Sequence, residues 1–168
     1  LYSSAASDVY KRQSDHFKVS YTISFDHPLL RHQARTERIT EASFADNIAA
    51  ARTFGFLKEV EWLRQNGLAL GGSLENAIVI GDTGVLNALR FEDEFVRHKI
   101  LDVVGDLALV GRPIVGHVVA HRAGHALHTQ LAAEILNDQE AWCLVEAPDA
   151  VPEGAFDTVG VPGVARAH

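Results

Sequence analysis

The segment FVRHKILDVVGDLAL, residues 95–109, constrains the fold more than any other stretch of this chain. Read as an α-helix, it places His98, Asp102 and Asp106 at steps of four residues, so their side chains point the same way. Most of the remaining positions are aliphatic, which leaves this helix little surface for solvent. The pattern predicts a helix packed inside a layered domain, with an imidazole and two carboxylates lining a cleft.

A buried carboxylate is costly unless it is paired or bound to a cation, so the polar stripe needs a partner. Zn²⁺ accepts a histidine nitrogen and an aspartate oxygen, and the spacing lets His98 and Asp102 reach one ion. Asp106 lies one turn further on, where it would more naturally orient a second imidazole. His125, at the first turn of a later helix and just after Gly124, is the candidate for that imidazole. An ordinary surface ion pair remains the alternative for the stripe.

Patterns elsewhere predict an α+β fold, a two-layer sandwich in which a mixed or antiparallel sheet packs on two main helices, with a small βαβ insert. Residues 17–25 alternate as a half-buried strand does. The other predicted elements are helices over 42–51 and 57–66, a strand over 77–80, a helix over 92–110, a strand over 113–121, a helix over 124–136 and a strand over 141–147. In the helix over 57–66 we expect Leu57, Val60, Trp62 and Leu63 on one face, with Gly67 past its end. In the helix over 124–136 we expect Ala126, Leu131, Ala132 and Ile135 to point inward.

The two ends of the chain lack these patterns. Residues 1–13, LYSSAASDVYKRQ, have no hydrophobic period and resemble translated adapter sequence, so we expect a non-native leader that takes no part in the fold. A natural disordered amino terminus is the alternative. The predicted domain covers residues 14–147, and residues 148–168, rich in Pro and Gly, are expected to be loosely ordered.

Composition excludes several kinds of partner. Fifteen Lys and Arg against 22 Asp and Glu give a net charge of −7, which argues against a nucleic-acid partner. No apolar run approaches the roughly 18 residues of a membrane-spanning helix, so an integral membrane protein is not expected. Cys143 is the single cysteine and can form no internal disulfide, which fits a reducing cytoplasm.

Three further features offer chemistry. His117 and His121 alternate with valines on a strand and are expected to be non-catalytic, while His128 is expected on a solvated side of its helix. The sequence RTFGF, residues 52–56, allows an exposed loop with aromatic faces and one hydroxyl donor, although core phenylalanines with a hinge glycine remain the alternative. The double glycine at 71–72 is too short to cradle a phosphate.

The segments SYTISFDHP, ARTFGF, GLALGGSLENAIV, LRFEDEFVRHKILDVVGDLAL and AGHALH occur in an order that resembles the UDP-3-O-acyl-N-acetylglucosamine deacetylase family. Its members are zinc amidases of lipid A biosynthesis in Gram-negative bacteria. The resemblance covers about residues 16–147, and FEDEFVRHKILD followed by GHALH is its most specific part.

This resemblance implies a role for each matching position. His98 and Asp102 match two zinc ligands, His125 matches the general acid for the leaving amine, and Asp106 matches its supporting carboxylate. Lys99 matches a lysine that meets the anionic UDP-linked substrate. Thr53 matches a hydroxyl near the scissile carbonyl, and Phe54 an aromatic beside the sugar. About residues 56–81 resemble an insert that forms a passage for the fatty-acyl chain, with plausible lining residues Leu57, Val60, Ala69, Gly72 and Ala77.

The chain departs from the family pattern in one respect. Family members carry two similar domains, and the first supplies a third zinc histidine and the general-base glutamate. This sequence resembles only the second domain, and a catalytic zinc normally takes three protein ligands. We therefore expect the 168 residues alone to bind zinc weakly, to have little or no activity, and to be poorly soluble or self-associating. A non-catalytic remnant or a nucleotide-sugar-binding domain of the same fold is the alternative.

Overall fold

The computed structural model describes residues 8–12, 14–27, 30 and 32–145, and it confirms the α+β architecture. A four-stranded mixed sheet has the order β1-β6-β2-β3, and a separate pair of parallel strands, β4 and β5, lies beside it. The strands are β1 Asp8–Arg12, β2 Phe17–Ile23, β3 Gln33–Arg38, β4 Thr53–Phe56, β5 Ala77–Ile80 and β6 Gly116–His121. The helices are α1 Glu41–Ser43, α2 Leu57–Gln65, α3 Glu94–Leu107 and α4 His125–Asn137.

The core forms between the sheet and helix α3. Strand β2 is central, antiparallel to β3 and parallel to β6, and its alternation buries Val19, Tyr21 and Ile23 on one face. From α3 the buried apolar side chains are Phe95, Val96, Ile100, Val103 and Leu107, so almost every turn contributes to the core. This burial explains why a helix so apolar is stable here, because its packing rather than its intrinsic propensity supplies the stability.

Strand β4, helix α2 and strand β5 form the predicted βαβ unit. Phe54 pairs with Ile78 in parallel register, and Gly67 ends α2 with a φ of 72°, as its position predicts. Helix α2 contributes no fully buried residue, and Trp62, which we placed on its apolar face, is 59% exposed. Trp62 lies two residues from Val60, about 200° around the helix, which carries it away from the packed side.

Two predicted helices change their helical type along their length. The helix expected over 42–51 is α1 followed by a π-helical segment, Phe44–Ile48, and Thr40 and Ser43 form a reciprocal cap at its start. Helix α3 runs into a 3₁₀ turn, Ala108–Val110, and Gly111 with a φ of 76° ends it. The predicted stop at Gly111 is confirmed.

The strand predicted over 141–147 is wrong for the part that the structure describes. Gln139–Ala141 is a 3₁₀ turn, and residues 142–145 have no regular structure. Trp142 donates its indole N–H to the carbonyl of Ile135, which folds this segment back onto the end of α4. The tail expected after 147 lies outside the described residues.

The edge strand beside β6 is β1, which comes from the segment that the sequence analysis leaves out of the fold. Asp8–Arg12 pairs antiparallel with β6, and Lys11 donates to the carbonyl of Ala141. The exclusion of residues 8–12 is therefore wrong. A short segment can complete a sheet edge through backbone hydrogen bonds alone, which side-chain periodicity does not reveal. The non-native origin of residues 1–13 stays a prediction.

Within the described residues, no helix combines the length and the apolar character needed to cross a bilayer.

Candidate metal and acid–base site

Helix α3 presents the predicted polar stripe to one side of the fold. His98 Nε2 lies 3.2 Å from Asp102 Oδ1, and the two side chains are only 15% and 9% exposed. Asp106 follows one turn later and is partly buried as well. The stripe is thus a largely enclosed polar row rather than a surface ion pair.

The orientation of His98 is set by a backbone carbonyl. Its Nδ1 lies 3.1 Å from the oxygen of Ala51, at the end of the segment that leads into β4. Because a carbonyl oxygen only accepts, the neutral imidazole carries its proton on Nδ1. This leaves the lone pair of Nε2 directed at the space beside Asp102, which is the state required of a metal ligand.

The spacing of these two atoms fits one ion. Two ligand atoms about 2.0–2.1 Å from a tetrahedral Zn²⁺ lie roughly 3.3 Å apart. The observed distance between His98 Nε2 and Asp102 Oδ1 is 3.2 Å. The pair can therefore hold a metal ion with little rearrangement of either side chain.

Lys99 and Phe54 border this pair. Lys99 Nζ lies 2.9 Å from the other oxygen of Asp102, and 6.0 Å from the centre of the Phe54 ring. The Phe54 ring packs edge-on against Phe95 at 5.0 Å and Phe25 at 5.8 Å. Phe54 thus has the packing of a core phenylalanine on one side, while its ring reaches within 6.5 Å of the His98 ring.

His125 comes from the first turn of α4 and meets the same spot. Its Nδ1 lies 2.7 Å from Asp106 Oδ2, and its Nε2 lies 3.9 Å from Asp102 Oδ2. The ionised carboxylate of Asp106 can only accept, so Nδ1 carries a proton and Nε2 faces the site. The structure therefore brings His98, Asp102, Asp106 and His125 together, as the sequence predicts.

His128 is the residue that the sequence-based prediction placed wrongly. Instead of facing solvent, it is fully buried, with its Nδ1 2.8 Å from Asp106 Oδ2 and its Nε2 3.2 Å from the hydroxyl of Tyr21. Its helical phase could have revealed this, since residues three and four further along, Leu131 and Ala132, were expected to point inward. The exposed neighbours Thr129 and Gln130 belong to the other side of the helix. On the same helix, Ala126 is exposed rather than inward.

Asp106, His125 and His128 form a second group whose ligand atoms are close enough together to hold a metal ion. Both histidine Nδ1 atoms lie within 2.8 Å of the same carboxylate oxygen. That is the length of a charge-assisted hydrogen bond and shorter than the roughly 3.3 Å between two ligands of one zinc. The geometry of this group is therefore that of hydrogen bonding between two imidazoles and one carboxylate oxygen.

The remaining predicted site residues lie on the βαβ unit. Thr53 is exposed at the start of β4 and pairs in register with Ala77, while Val60 packs close over Gly55. Leu57 is half-buried at the start of α2, and Ala69 and Gly72 share a turn beyond that helix. Exposed leucines cluster around this turn, namely Leu68, Leu70 and Leu74. The segment therefore offers an exposed apolar surface.

His117 and His121 point away from it. On β6 the buried residues alternate with them, so both lie on the sheet face opposite the helices, and His117 Nε2 is 2.8 Å from the hydroxyl of Ser20. A cavity of about 660 Å³ at the carboxyl end of α3, beside Gly111, also contains none of the site residues.

A buried ion pair holds the segment that carries Ala51 and Thr53 against α3. Glu94, one turn before His98 and fully buried, accepts from the backbone N–H and guanidinium of Arg52 and from the backbone N–H of Arg90. Burial alone would raise the pKa of Glu94, but the hydrogen bonds from Arg52 and Arg90 outweigh it and leave the pKa below its usual value. The pair thereby supports the carbonyl that orients His98.

Replacing Glu94 with Gln is expected to lower the free energy of unfolding by about 3–5 kcal/mol at pH 7, because it leaves Arg52 buried without its counter-charge. Since the folded pKa is depressed, this stabilisation is present above the unfolded value near 4.5 and is lost as the pH falls through the folded pKa. Urea denaturation at pH 7 and pH 3, followed by circular dichroism, measures both effects. Glu92→Gln, at an exposed position, is the control. An equal loss of unfolding free energy in both variants would contradict the prediction.

Comparison with known proteins identifies the family. Residues 4–137 match the sequence profile of the UDP-3-O-acyl N-acetylglycosamine deacetylase family, and this range includes every site residue described above. The chain belongs to this family. The matched range also begins before β1, in agreement with the place of that strand in the sheet.

Individual members of the family are close in sequence. The UDP-3-O-acyl-N-acetylglucosamine deacetylase of Syntrophotalea carbinolica is 50% identical over 153 residues, which cover 90% of this chain and 50% of the relative. Its counterpart in Myxococcus xanthus is 47% identical over 154 residues, 90% of this chain and 48% of the relative. The deacetylase of Acidithiobacillus ferrooxidans is 52% identical over 148 residues, which cover 85% of this chain and 49% of the relative. The chain thus spans about half the length of the relatives it matches.

Proposed function

We propose that this chain forms part of a zinc-dependent deacetylase that removes the N-acetyl group of a UDP-3-O-acyl-N-acetylglucosamine. The observation that carries the proposal is the convergence of His98 Nε2, Asp102 Oδ1 and His125 Nε2 on one spot beside α3. Family membership supports the substrate class, since the relatives are named for this reaction. Because the substrate of this step of lipid A biosynthesis is a nucleotide sugar, the protein would act in the cytoplasm.

His98 and Asp102 would hold the ion, with Ala51 keeping the His98 lone pair in place. When bound, Zn²⁺ supplies a nucleophilic water near neutral pH and polarises the acetamide carbonyl. Two ligands are fewer than the three that a catalytic zinc usually takes. We propose that the part of the family fold outside the matched half supplies the third ligand and the general base, as the sister domain of the two-domain enzymes.

His125 would act as the general acid. As the C–N bond of the tetrahedral intermediate breaks, its Nε2–H donates a proton to the departing sugar nitrogen, so that the products are acetate and a free 2-amino sugar. The Nδ1–H continues to donate to Asp106 Oδ2, whose negative charge stabilises the doubly protonated imidazole before transfer. An acid at this position is useful because an amide nitrogen is a poor leaving group without a proton.

The surrounding residues would bind the substrate. Lys99 would provide a cation for the diphosphate of the substrate. Thr53 would place a hydroxyl near the scissile carbonyl, and Phe54 would place an aromatic edge beside the sugar. The acyl chain would lie against the βαβ unit, with lining residues Leu57, Val60, Ala69, Gly72 and Ala77. The exposed leucines of that segment support an apolar ligand there.

The proposal is tested with a fusion in which these 168 residues replace the matching half of the Syntrophotalea carbinolica relative. We expect the fusion to release acetate from UDP-3-O-acyl-N-acetylglucosamine, to lose this activity with a zinc chelator and to regain it with added Zn²⁺. The 168 residues alone are expected to release little or none. Activity that survives chelation, or an inactive fusion beside an active parent, would contradict the proposal. Chelator-sensitive hydrolysis by the isolated chain would contradict the requirement for the other half.

A further inference from the structure

A buried chain of polar groups runs from the central strand to Asp106. The hydroxyl of Tyr21 on β2 lies 3.2 Å from His128 Nε2, and His128 Nδ1 lies 2.8 Å from Asp106 Oδ2. The same hydroxyl lies 2.6 Å from the carbonyl oxygen of Ala123. Tyr21 and His128 are buried at 1% and 0% exposure, so solvent competes with none of these contacts.

The protons of this chain can be assigned from its acceptors. The carboxylate of Asp106 and the carbonyl of Ala123 only accept, so the Nδ1 atom of His128 must carry a proton and the Tyr21 hydroxyl must donate. Burial lowers the pKa of His128 in spite of the nearby Asp106 carboxylate, and it raises the pKa of Tyr21. A neutral His128 with its proton on Nδ1 donates to Asp106, and its Nε2 lies against the phenol, whose single proton is directed mainly at the carbonyl of Ala123.

This arrangement gives Asp106 Oδ2 two imidazole donors of different character. His125 is 66% exposed, so packing does little to fix its ring, and its contact with Asp106 carries much of its orientation. His128 is fully buried, and its ring is held edge-on against Tyr21 at 5.9 Å between centres. The buried donor is therefore on the core side of the carboxylate and the exposed one on the site side.

Resting on the proposed deacetylase function, we propose that His128 is a positioning residue for the reaction, whose buried Nδ1–H anchors Asp106 so that Asp106 holds His125 with Nε2 towards the scissile bond. Without this anchor the carboxylate can rotate about its side-chain torsions, and the exposed ring of His125 turns with it. A general acid depends on its orientation for a large part of its catalytic effect. Loss of the His128 contact should therefore lower kcat more than it changes KM.

Two amide substitutions separate this role from simple packing. In Asn the amide nitrogen is as many bonds from the backbone as Nδ1 of His, so His128→Asn can still donate to Asp106. In Gln the amide lies one bond further out, at the reach of Nε2, so His128→Gln can contact Tyr21 but is out of place for Asp106. His128→Leu removes both contacts while it keeps most of the volume.

The test compares the zinc-loaded fusion described above with three variants of it, which carry Asn, Gln or Leu at position 128. For each protein, kcat, KM and the melting temperature are measured. The Gln and Leu variants are expected to lose about 10–100-fold in kcat with KM changed by less than about threefold, the usual loss when a supporting hydrogen bond is removed. The Asn variant should stay within about threefold of the unmutated kcat, even where its melting temperature falls as far as that of Gln.

A second readout does not depend on activity. In the 168-residue chain, ¹⁵N chemical shifts of His125 should report a proton fixed on Nδ1 in the unmutated and Asn proteins, and exchange between the two tautomers in the Gln and Leu proteins. Equal kcat in the Asn, Gln and Leu variants, or an unchanged His125 tautomer in all, would overturn the inference. An unmutated fusion without chelator-sensitive deacetylation would instead overturn the proposed function, while the tautomer readout still tests the anchor.

Discussion

Replacing His98 with Ala is expected to remove specific zinc binding from the fusion enzyme and to lower kcat/KM by well over 100-fold. Loss of a residue that merely orients a ligand costs about 10–100-fold, and His98 is placed to bind the ion itself. The adjacent Lys99 cannot substitute, because it donates to Asp102 and carries no free lone pair. Metal content after gel filtration and a competition titration with a chromogenic chelator measure the affinity.

His117→Ala is the matched control, because His117 is also a partly buried histidine but lies on the opposite face of the sheet. It should retain zinc and activity within about threefold. The assignment of the ion to His98 and Asp102 fails if His98→Ala keeps stoichiometric zinc while His128→Leu loses it. That outcome would place the ion in the cluster of Asp106, His125 and His128 instead.

Replacing His125 with Ala is expected to lower kcat by about 10²–10⁴-fold, the usual contribution of a general acid, while zinc content stays at the unmutated level. His125 Nε2 lies 3.9 Å from Asp102 Oδ2, which is longer than the roughly 3.3 Å between two ligands of one zinc. We therefore expect zinc binding not to depend on His125. The KM should change little, because the imidazole acts on the bond that breaks rather than on the bound sugar. Steady-state kinetics with metal analysis of the same samples provides the measurement.

The acid role is tested further with a substrate analogue in which an ester replaces the amide. An alkoxide leaves more readily than an amine anion, so the loss caused by His125→Ala should be clearly smaller for the ester. Gln130→Ala, an exposed substitution on the same helix, should leave both rates unchanged. An identical loss for amide and ester would contradict protonation of the leaving group by His125.

The sequence predicts much of this site because its central part is local. His98, Asp102 and Asp106 lie within nine residues of one helix, and the geometry of a helix alone sets which of them share a face. The βαβ unit, the end of α3 at Gly111 and the end of α2 at Gly67 are equally local, since each depends on period or on the backbone freedom of glycine. The pairing of Asp106 with His125 was expected from the resemblance, and the structure brings the two side chains within hydrogen-bond distance.

Other features depend on contacts between segments far apart in the chain. His128 has polar neighbours along the sequence, and only the approach of β2 to α4 buries it against Tyr21. The π-helical turn at Phe44–Ile48 and the exposed position of Trp62 likewise differ from what local pattern suggests. Trp142 contacts the end of α4 and Lys11 contacts the turn after it, in a segment where the sequence pattern predicts a strand.

By itself, the sequence determined the α+β class, the identity of the buried helix and the four polar side chains that the structure brings together. The tertiary structure alone decided which strand completes the sheet, which carbonyl orients His98 and which buried imidazole supports Asp106. The physical reason is the separation along the chain between the residues that interact. Helical phase and glycine turns are set by neighbours within a few residues, whereas a hydrogen bond between Tyr21 and His128 exists only after a sheet and a helix have packed together.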